Sequence, residues 1–533
     1  GLLSEARVRF LKSLGYTEMD VEGVGIIVAD AAMQYKSEAF HGETLVFEMT
    51  PADFNKYGCD LMWRASDKAS GAKAHPELLA EYGGAWAGPQ AALVTRVGRQ
   101  VAAQSGIANV SGDFTFTLLN SPVENAFAVP GGYIYCTRNL LALMNDEAEL
   151  AFVLGHETGH IAAHHSDKRQ QVTQRDVLLG TLGQTLLGAV LGGGAAGQLL
   201  GSVANAGINR LVVGNVMSHS RAEEFEADDL GTAFIDKAGY DPGAASDMLG
   251  SLAAQVAPDA QPSGNARTTP SWAMSHPDPA ARVARALALA RQLPPRSGTR
   301  GPDAFLMALD GMVYGDDPRQ GVIEGQDFLY PSGRLRFTAP AGYGMSNGTD
   351  AVTIGAKGSA ARGRAKFVGG AYDGDLAKFL DAAFASLSSS GKAEHVAGQA
   401  GSVNGIPTLS ATIGAQDSSG GAMDVSVTAY AFAPKTAYAL IVMQPRGAGL
   451  GDLAPLAQGV RRMSAAEAAA VRPRVISVVK VRAGDSVASL SARMAYTSLQ
   501  RERFVVLNGL AAGTTTLPVG RKVKLVVWGK PLG

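Results

Sequence analysis

Residues 151–165 read AFVLGHETGHIAAHH, an apolar helical run into which four histidines and one glutamate are set. No other stretch constrains the fold as tightly. Leu150, Phe152, Val153 and Leu154 bury such a helix, and a buried helix fixes the geometry of whatever its polar residues hold. Asp146 can cap its start, with Glu149 three residues on in the pattern of a capping box. His156 and His160 stand at i and i+4, so both imidazoles leave one face. Two neutral imidazole nitrogens at that separation can share one Zn2+ at about 2.0–2.1 Å. Glu157 lies beside the first of them, angled toward the open coordination position, where it can take a proton from water. Read alone, a match to H-E-x-x-H leaves an ordinary amphipathic helix as a competing account.

A catalytic zinc needs a third protein ligand and keeps its fourth position open. His164 is two turns along from His156, too far for one tetrahedral ion, and His164 and His165 read as solvated or as supports of the ligands. The better candidate is downstream, in SRAEEFEADDLG, residues 220–231. There Glu224 and Asp228 are i and i+4 on a second helix. Glu224 can supply the third ligand, and Asp228 can accept a hydrogen bond from the far nitrogen of a ligating histidine, fixing its tautomer. The competing account is a solvated acidic face, since Glu223, Glu226 and Asp229 crowd there. Taken with the upstream motif, the spacing favours ligation.

The remainder sets boundaries. A chain of 533 residues accommodates about three or four domains. Its 46% hydrophobic and 18% charged content fits globular cores. The balance of 47 basic against 48 acidic residues argues against a nucleic-acid binder driven by phosphate neutralisation. Two cysteines, Cys59 and Cys136, support neither a disulfide framework nor a thiolate zinc site. No signal peptide is visible at residue 1, where the chain opens on Gly inside a helical pattern, so that absence carries no weight. The uncharged run 177–209 is long enough to span a bilayer, yet it is rich in Gly and interrupted by Gln and Asn. It reads either as a membrane-embedded hairpin or as helices packed over the protein's own site.

Along the chain, a helix at SEARVRFLKSLGY precedes strands including ETLVFEMTPADF and GCDLMWRASD, and ASGAKAHPELLAEYGG reads as a junction. DFTFTLLN and GGYIYCT read as a strand hairpin, and residues 210–255 as helical. Residues 303–465 mix strands with one helix and carry no ligand-spaced cluster. Residues 474–529 read strand–helix–helix–strand.

Four motifs in order, NAFAVPGGYIYCTRNLL, HETGH, SRAEEFEAD and SHPDPAARV, make roughly residues 85–295 resemble the HtpX/BepA-type zinc metallopeptidases. That resemblance implies a mainly helical gluzincin fold with a small edge-strand sheet and one Zn2+ per chain. His156, His160 and Glu224 match its zinc ligands, Glu157 its general base and Asp228 its supporting carboxylate. Asn125, Ala126, Phe127 and Ala128 match the edge strand beside the cleft, to which an extended substrate can add by β-augmentation. His276 matches a histidine that gates the metal or meets the transition state, against the alternative of a helix cap before Pro277, and Arg282 follows at the family's spacing. His219 reads as structural or exposed. The implied activity is peptide hydrolysis of unfolded or misassembled cell-envelope proteins, in a bacterial periplasmic or membrane-associated setting. Residues 474–529 resemble a LysM module, implying peptidoglycan binding or docking on the protease itself. Residues 1–70 resemble part of a hotdog-fold acyl-CoA thioesterase that lacks the first strand. Two alternatives follow: an acyl-CoA thioesterase, or a peptidoglycan-binding scaffold with a latent peptidase. The expected architecture is α+β and multidomain: 1–70 hotdog-like, 71–300 metallopeptidase, 301–466 an α/β domain and 474–529 a LysM-like βααβ module.

Overall fold

A computed structural model of the chain describes residues 45–55, 58–107, 113–165, 219–256, 276, 279–293, 298–348, 351–356, 363–387, 396–416 and 421–531. The helix expected at the start of the chain and the 177–209 run lie outside these residues. Among the described residues no helix is long and apolar enough to cross a membrane. The chain divides into two units, Gly1–Ala74 and His75–Gly533. In the first, β1 (Leu45–Asn55) and β2 (Gly58–Asp67) form an antiparallel hairpin with Leu45 opposite Asp67.

The stretch read as a junction is instead helix α1 (Lys68–Glu81), which tolerates Pro76 inside it. Its Ala, Lys, Leu and Glu residues are good helix formers. The signal that suggested a loop belongs to its end, where Gly83 and Gly84 take φ of 79° and 89°. Helix α2 (Pro89–Ala102) starts with Pro in its first turn and buries Leu93, Val94, Val97 and Val101 along one face. It lies close against β3 (Thr115–Leu119), because Gly98 has no side chain where a Cβ would stand 2.4 Å from the Phe116 ring.

The small sheet also corrects the sequence reading. β4 (Ala126–Val129) and β5 (Tyr133–Thr137) are the hairpin, whereas β3 pairs with β5 in parallel, giving the order β3-β5-β4. Parallel neighbours need a crossover, and the stretch 120–132 supplies it while contributing β4. Gly132 closes the turn at φ 83°, where a Cβ would collide with the Asp113 carbonyl. β4 is left at the sheet edge.

Helices α3 (Arg138–Leu143), α4 (Glu147–Ala162), α5 (Arg221–Lys237), α6 (Ala244–Val256), α7 (Pro279–Gln292) and α8 (Pro302–Leu309) complete this region. Val94, Val97, Leu150, Phe152, Leu154, Ile235, Leu249 and Phe305 lie in one core. The same core continues into the C-terminal segment through Ile476, Leu490, Phe504 and Leu525. That segment runs strand Arg474–Lys480, helices Val487–Ser491 and Gln500–Leu507, and strand Lys522–Trp528. Val313–Tyr314 joins its two strands as a third. Buried Lys524 donates through Nζ to the carbonyls of Ala142 (2.7 Å), Leu143 (3.1 Å) and Met144, just ahead of α4.

Between these parts, a seven-stranded sheet spans Tyr343–Asn347 to Thr436–Pro445, with helix Leu376–Ala385 packed on it through Leu380 and Phe384. A four-stranded sheet contains Val322–Glu324, Asp327–Tyr330, Leu335–Thr338 and Arg461–Arg462. Every described pairing in both sheets is antiparallel, so this block is α+β rather than the expected α/β. Helix Leu376–Ala385 lies in the long connection from Arg364–Ala371 to Gln399–Val403, and antiparallel neighbours elsewhere in the sheet can be joined by tight turns. Asn404 and Gly405, at φ 49° and 72°, form a two-residue hairpin loop of the kind that needs positive φ at both positions.

Candidate metal centre

Two capped helices carry the site. At the start of α4, Asp146 accepts a hydrogen bond from the Glu149 N–H at 2.9 Å. Glu149 reaches back to the Asn145 N–H at 2.8 Å, one residue beyond the one a strict capping box uses. α5 has the full reciprocal box: Ser220 accepts from the Glu223 N–H, and Glu223 accepts from the Ser220 N–H. The helices cross at glycines. A Cβ on Gly231 would stand 2.8 Å from the His156 nitrogen, and one on Gly159 3.1 Å from the Ala227 carbonyl. This backbone approach lets a ligand on α5 reach two ligands on α4. The signal was in the sequence, as the glycines that precede His156 and His160 by one residue each and as Gly231, but spacing alone did not disclose it.

The expected ligands converge. His156 Nε2 lies 3.0 Å from His160 Nε2 and 3.6 Å from Glu224 Oε2, and His160 Nε2 lies 3.4 Å from Glu224 Oε1. His276 joins them, with Nδ1 3.0 Å from Glu224 Oε1 and 3.3 Å from His156 Nε2. All four are buried. Glu157, also buried, faces His276 Nε2 at 3.5 Å, and its Oε2 has no hydrogen-bond partner. Asp228 Oδ1 lies 3.0 Å from His156 Nδ1. Arg282, on α7, clamps Asp228 with two hydrogen bonds of 2.7 Å and stands 2.6 Å from Glu224 Oε2. Of the edge-strand residues, Ala126 meets the site directly, its carbonyl 3.2 Å from His276 Nε2. Asn125 exchanges hydrogen bonds with Thr137, Phe127 stacks on Tyr135 at 4.8 Å, and Ala128 pairs with Ile134 on β5.

Two further histidines lie beside His160. His165 is fully buried rather than solvated, with Nδ1 2.8 Å from His160 Nδ1. His219 is buried rather than exposed and stacks on the His160 ring with centroids 3.6 Å apart.

The electrostatics suit a cation. Asp228 only accepts, so His156 carries its proton on Nδ1 and turns an Nε2 lone pair toward His160 and Glu224. Burial, with His156 beside it, holds the His160 pKa well below its usual value. Burial works against an ionised Glu224, but His276 and Arg282 outweigh it and hold the carboxyl well below the usual range. Asp228 is likewise held ionised by Arg282 against burial. Burial raises the Glu157 pKa, as suits a proton carrier. Burial also opposes a charged His276, yet the facing Glu224 lifts its pKa to about 9. Imidazole lone pairs, a carboxylate and an unpartnered carboxylate oxygen meeting in a dry interior fit a zinc ion.

Residues 89–290 match the family model described as peptidase family M48, and residues 1–86 that of the thioesterase-like superfamily. The chain is 30% identical over 238 residues to a beta-barrel assembly-enhancing protease of Yersinia pestis, covering 44% of this chain and 46% of that one. The protein of that name from Escherichia coli K12 is 29% identical over 201 residues, 37% of this chain and 39% of its own. A mitochondrial metalloendopeptidase OMA1 of Schizosaccharomyces pombe is 29% identical over 185 residues, 34% of this chain and 50% of its own. The chain thus spans half or less of the length of these relatives. Over residues 89–290 it carries a domain of the peptidase family M48, a family of zinc metallopeptidases.

Proposed function

We propose that this chain is a zinc endopeptidase that hydrolyses unfolded or misassembled proteins of the bacterial cell envelope. The observation that carries the reading is the convergence of His156 Nε2, His160 Nε2 and Glu224 in a buried site beside Glu157. His156, His160 and Glu224 hold the ion. Bound there, zinc supplies Lewis acidity, polarising the scissile carbonyl and acidifying water. Glu157 takes the proton of the attacking water and delivers it to the leaving amine. Asp228 fixes the His156 tautomer, and Arg282 holds Asp228 and Glu224 in place. An extended substrate lies along β4, at the sheet edge. His276 bridges the ligands and the Ala126 carbonyl, so it gates the approach of substrate to the centre.

The envelope setting and substrate class draw on the relatives named beta-barrel assembly-enhancing protease. In this reading the chain is organised as 1–70, 71–300, 301–466 and 474–529. The last of these is a LysM-like module that meets peptidoglycan, and residues 177–209 contact the membrane or cover the cleft.

The test is degradation of unfolded casein by the zinc-loaded chain and by its Glu157→Gln form. Cleavage by the first alone, with zinc retained in both, supports the reading. Normal cleavage by Glu157→Gln removes it.

A further inference from the structure

His156 and His160 are supported by different chemistry. The far nitrogen of His156 meets a buried carboxylate held by an arginine. The far nitrogen of His160 meets a second histidine. We propose that His165 is a positioning residue of the metal centre, the middle member of a chain Glu226–His165–His160 that orients the second ligand. This rests on the proposed ligation by His160.

The direction of each hydrogen bond follows from the geometry. His160 Nδ1 and His165 Nδ1 are 2.8 Å apart, so one donates and the other accepts. His160 turns Nε2 toward His156 and Glu224, and a ligand nitrogen must present a lone pair. The His160 proton is therefore on Nδ1, and His165 Nδ1 accepts it. The proton of His165 is then on Nε2, which faces Glu226 Oε2 at 3.1 Å. The Glu226 side chain is 54% exposed, so the chain runs from the buried centre to the surface.

The backbone is bent to make this contact. α4 ends at Ala162, Ala163 stays in the right-handed helical region, and His164 takes φ 59°. That left-handed conformation normally falls to glycine or asparagine. It reverses the chain at the helix end, and His165, the next residue, meets His160 five positions back.

His160, His165 and His219 could instead share a second ion. The His219 ring lies nearly parallel to that of His160, 25° between planes. Stacked rings do not aim their in-plane nitrogens at a common point, and His160 Nδ1 is already occupied by His165. The geometry favours the hydrogen-bonded chain.

The experiment is zinc affinity by chelator competition on the full chain, with the visible absorption of the Co2+-substituted protein and zinc stoichiometry alongside. The variants are His165→Ala, His165→Asn, His165→Gln and Glu226→Ala. Asn sets an amide oxygen where Nδ1 stands and can accept from His160, whereas Gln sets its oxygen where Nε2 stands. The expected result is an affinity about 10- to 100-fold weaker for His165→Ala and His165→Gln. His165→Asn recovers most of it together with the native Co2+ bands, and Glu226→Ala loses only a few-fold. Equal losses in all three His165 variants would mean that the residue only packs, and unchanged affinity in His165→Ala would mean that it does nothing for the metal. Either result overturns the proposal. So does a second zinc that disappears with His165. A wild-type chain that binds no zinc removes the metal-centre reading itself, an outcome visible before any variant is made.

Discussion

The interior around α4 and the interior shared by the four- and seven-stranded sheets follow opposite rules. The first buries His156, Glu157, His160, Glu224, Asp228, His276 and Arg282 within one cluster. The second buries Phe328, Phe337, Phe367, Tyr430, Tyr438 and Leu440, with stacked and tilted ring pairs whose centroids are 4.7–6.2 Å apart. Its buried Tyr430 hydroxyl is satisfied by the Ala457 carbonyl at 2.8 Å. Burying an unpaired charge costs several kcal/mol per ion, and pairing seldom returns a surplus over apolar packing. A core that gathers so many titratable groups is therefore built for chemistry at the expense of stability. The core shared by these sheets is instead predominantly apolar and aromatic.

The contrast breaks if the aromatic core turns out to govern the site. Phe367→Ala removes a ring that touches Phe337, Tyr430 and Tyr438. Large-to-small core changes of this kind cost about 3–5 kcal/mol. Urea unfolding should show that loss, while zinc retention and casein cleavage at low temperature stay at wild-type level. A parallel loss of zinc would couple the two cores.

The next effect sharpens the other side. Gly231→Ala drives a Cβ to 2.8 Å from the His156 backbone nitrogen. Overpacking costs about 1–3 kcal/mol, and a shift of about 1 Å in catalytic groups can cost on the order of 10²-fold in rate. Cleavage should fall accordingly. Gly250→Ala, on α6 where an added Cβ meets nothing within 4 Å, is the control. It should raise stability by about 0.5–1 kcal/mol and leave cleavage alone. Equal behaviour of the two glycines would show that the helix crossing does not set the site.

The glycine crossing also marks the limit of what the sequence discloses. The i, i+4 pairs on α4 and α5 were legible because a helix fixes their relative direction by local geometry. So was the cap at Asp146, which needs only neighbouring residues; the matching cap at Ser220 is seen in the structure. That Asp228 faces Nδ1 of His156, and not of His160, depends on how two helices separated by 58 residues cross. The Arg282 clamp and the His165 contact depend in the same way on a third helix and on a left-handed turn at His164. The parallel pairing of β3 with β5 was missed because the side-chain pattern of a strand fixes which residues face the core and not the direction of its neighbour. The α+β nature of the sheet block was partly legible, since Asn404–Gly405 between two strand patterns is a hairpin signal.

Lys524 extends the charged core into the C-terminal segment, and its predicted effect is the smallest because two terms oppose. Lys524→Met leaves the Ala142, Leu143 and Met144 carbonyls without their donor, a loss of about 1–3 kcal/mol, but no longer buries an ammonium. The pH dependence separates the two. Burial pulls the folded Lys524 pKa from 10.5 down to about 7, against the Glu149 and Asp146 carboxylates. Between those values the unfolded chain binds more protons at this lysine than the folded chain, so the lysine's contribution to stability rises with pH. Glu149 adds the same sign to the difference between the two proteins. Burial raises its folded pKa to about 7, with Lys524 among the groups that hold it down. Without the lysine Glu149 keeps its proton to higher pH, and the variant loses stability there as pH rises. The wild type should therefore gain on Lys524→Met from pH 7 to 10.5 in urea unfolding. A difference that stays flat across that window would mean Lys524 behaves as a solvated lysine, and would detach the C-terminal segment from the charged core.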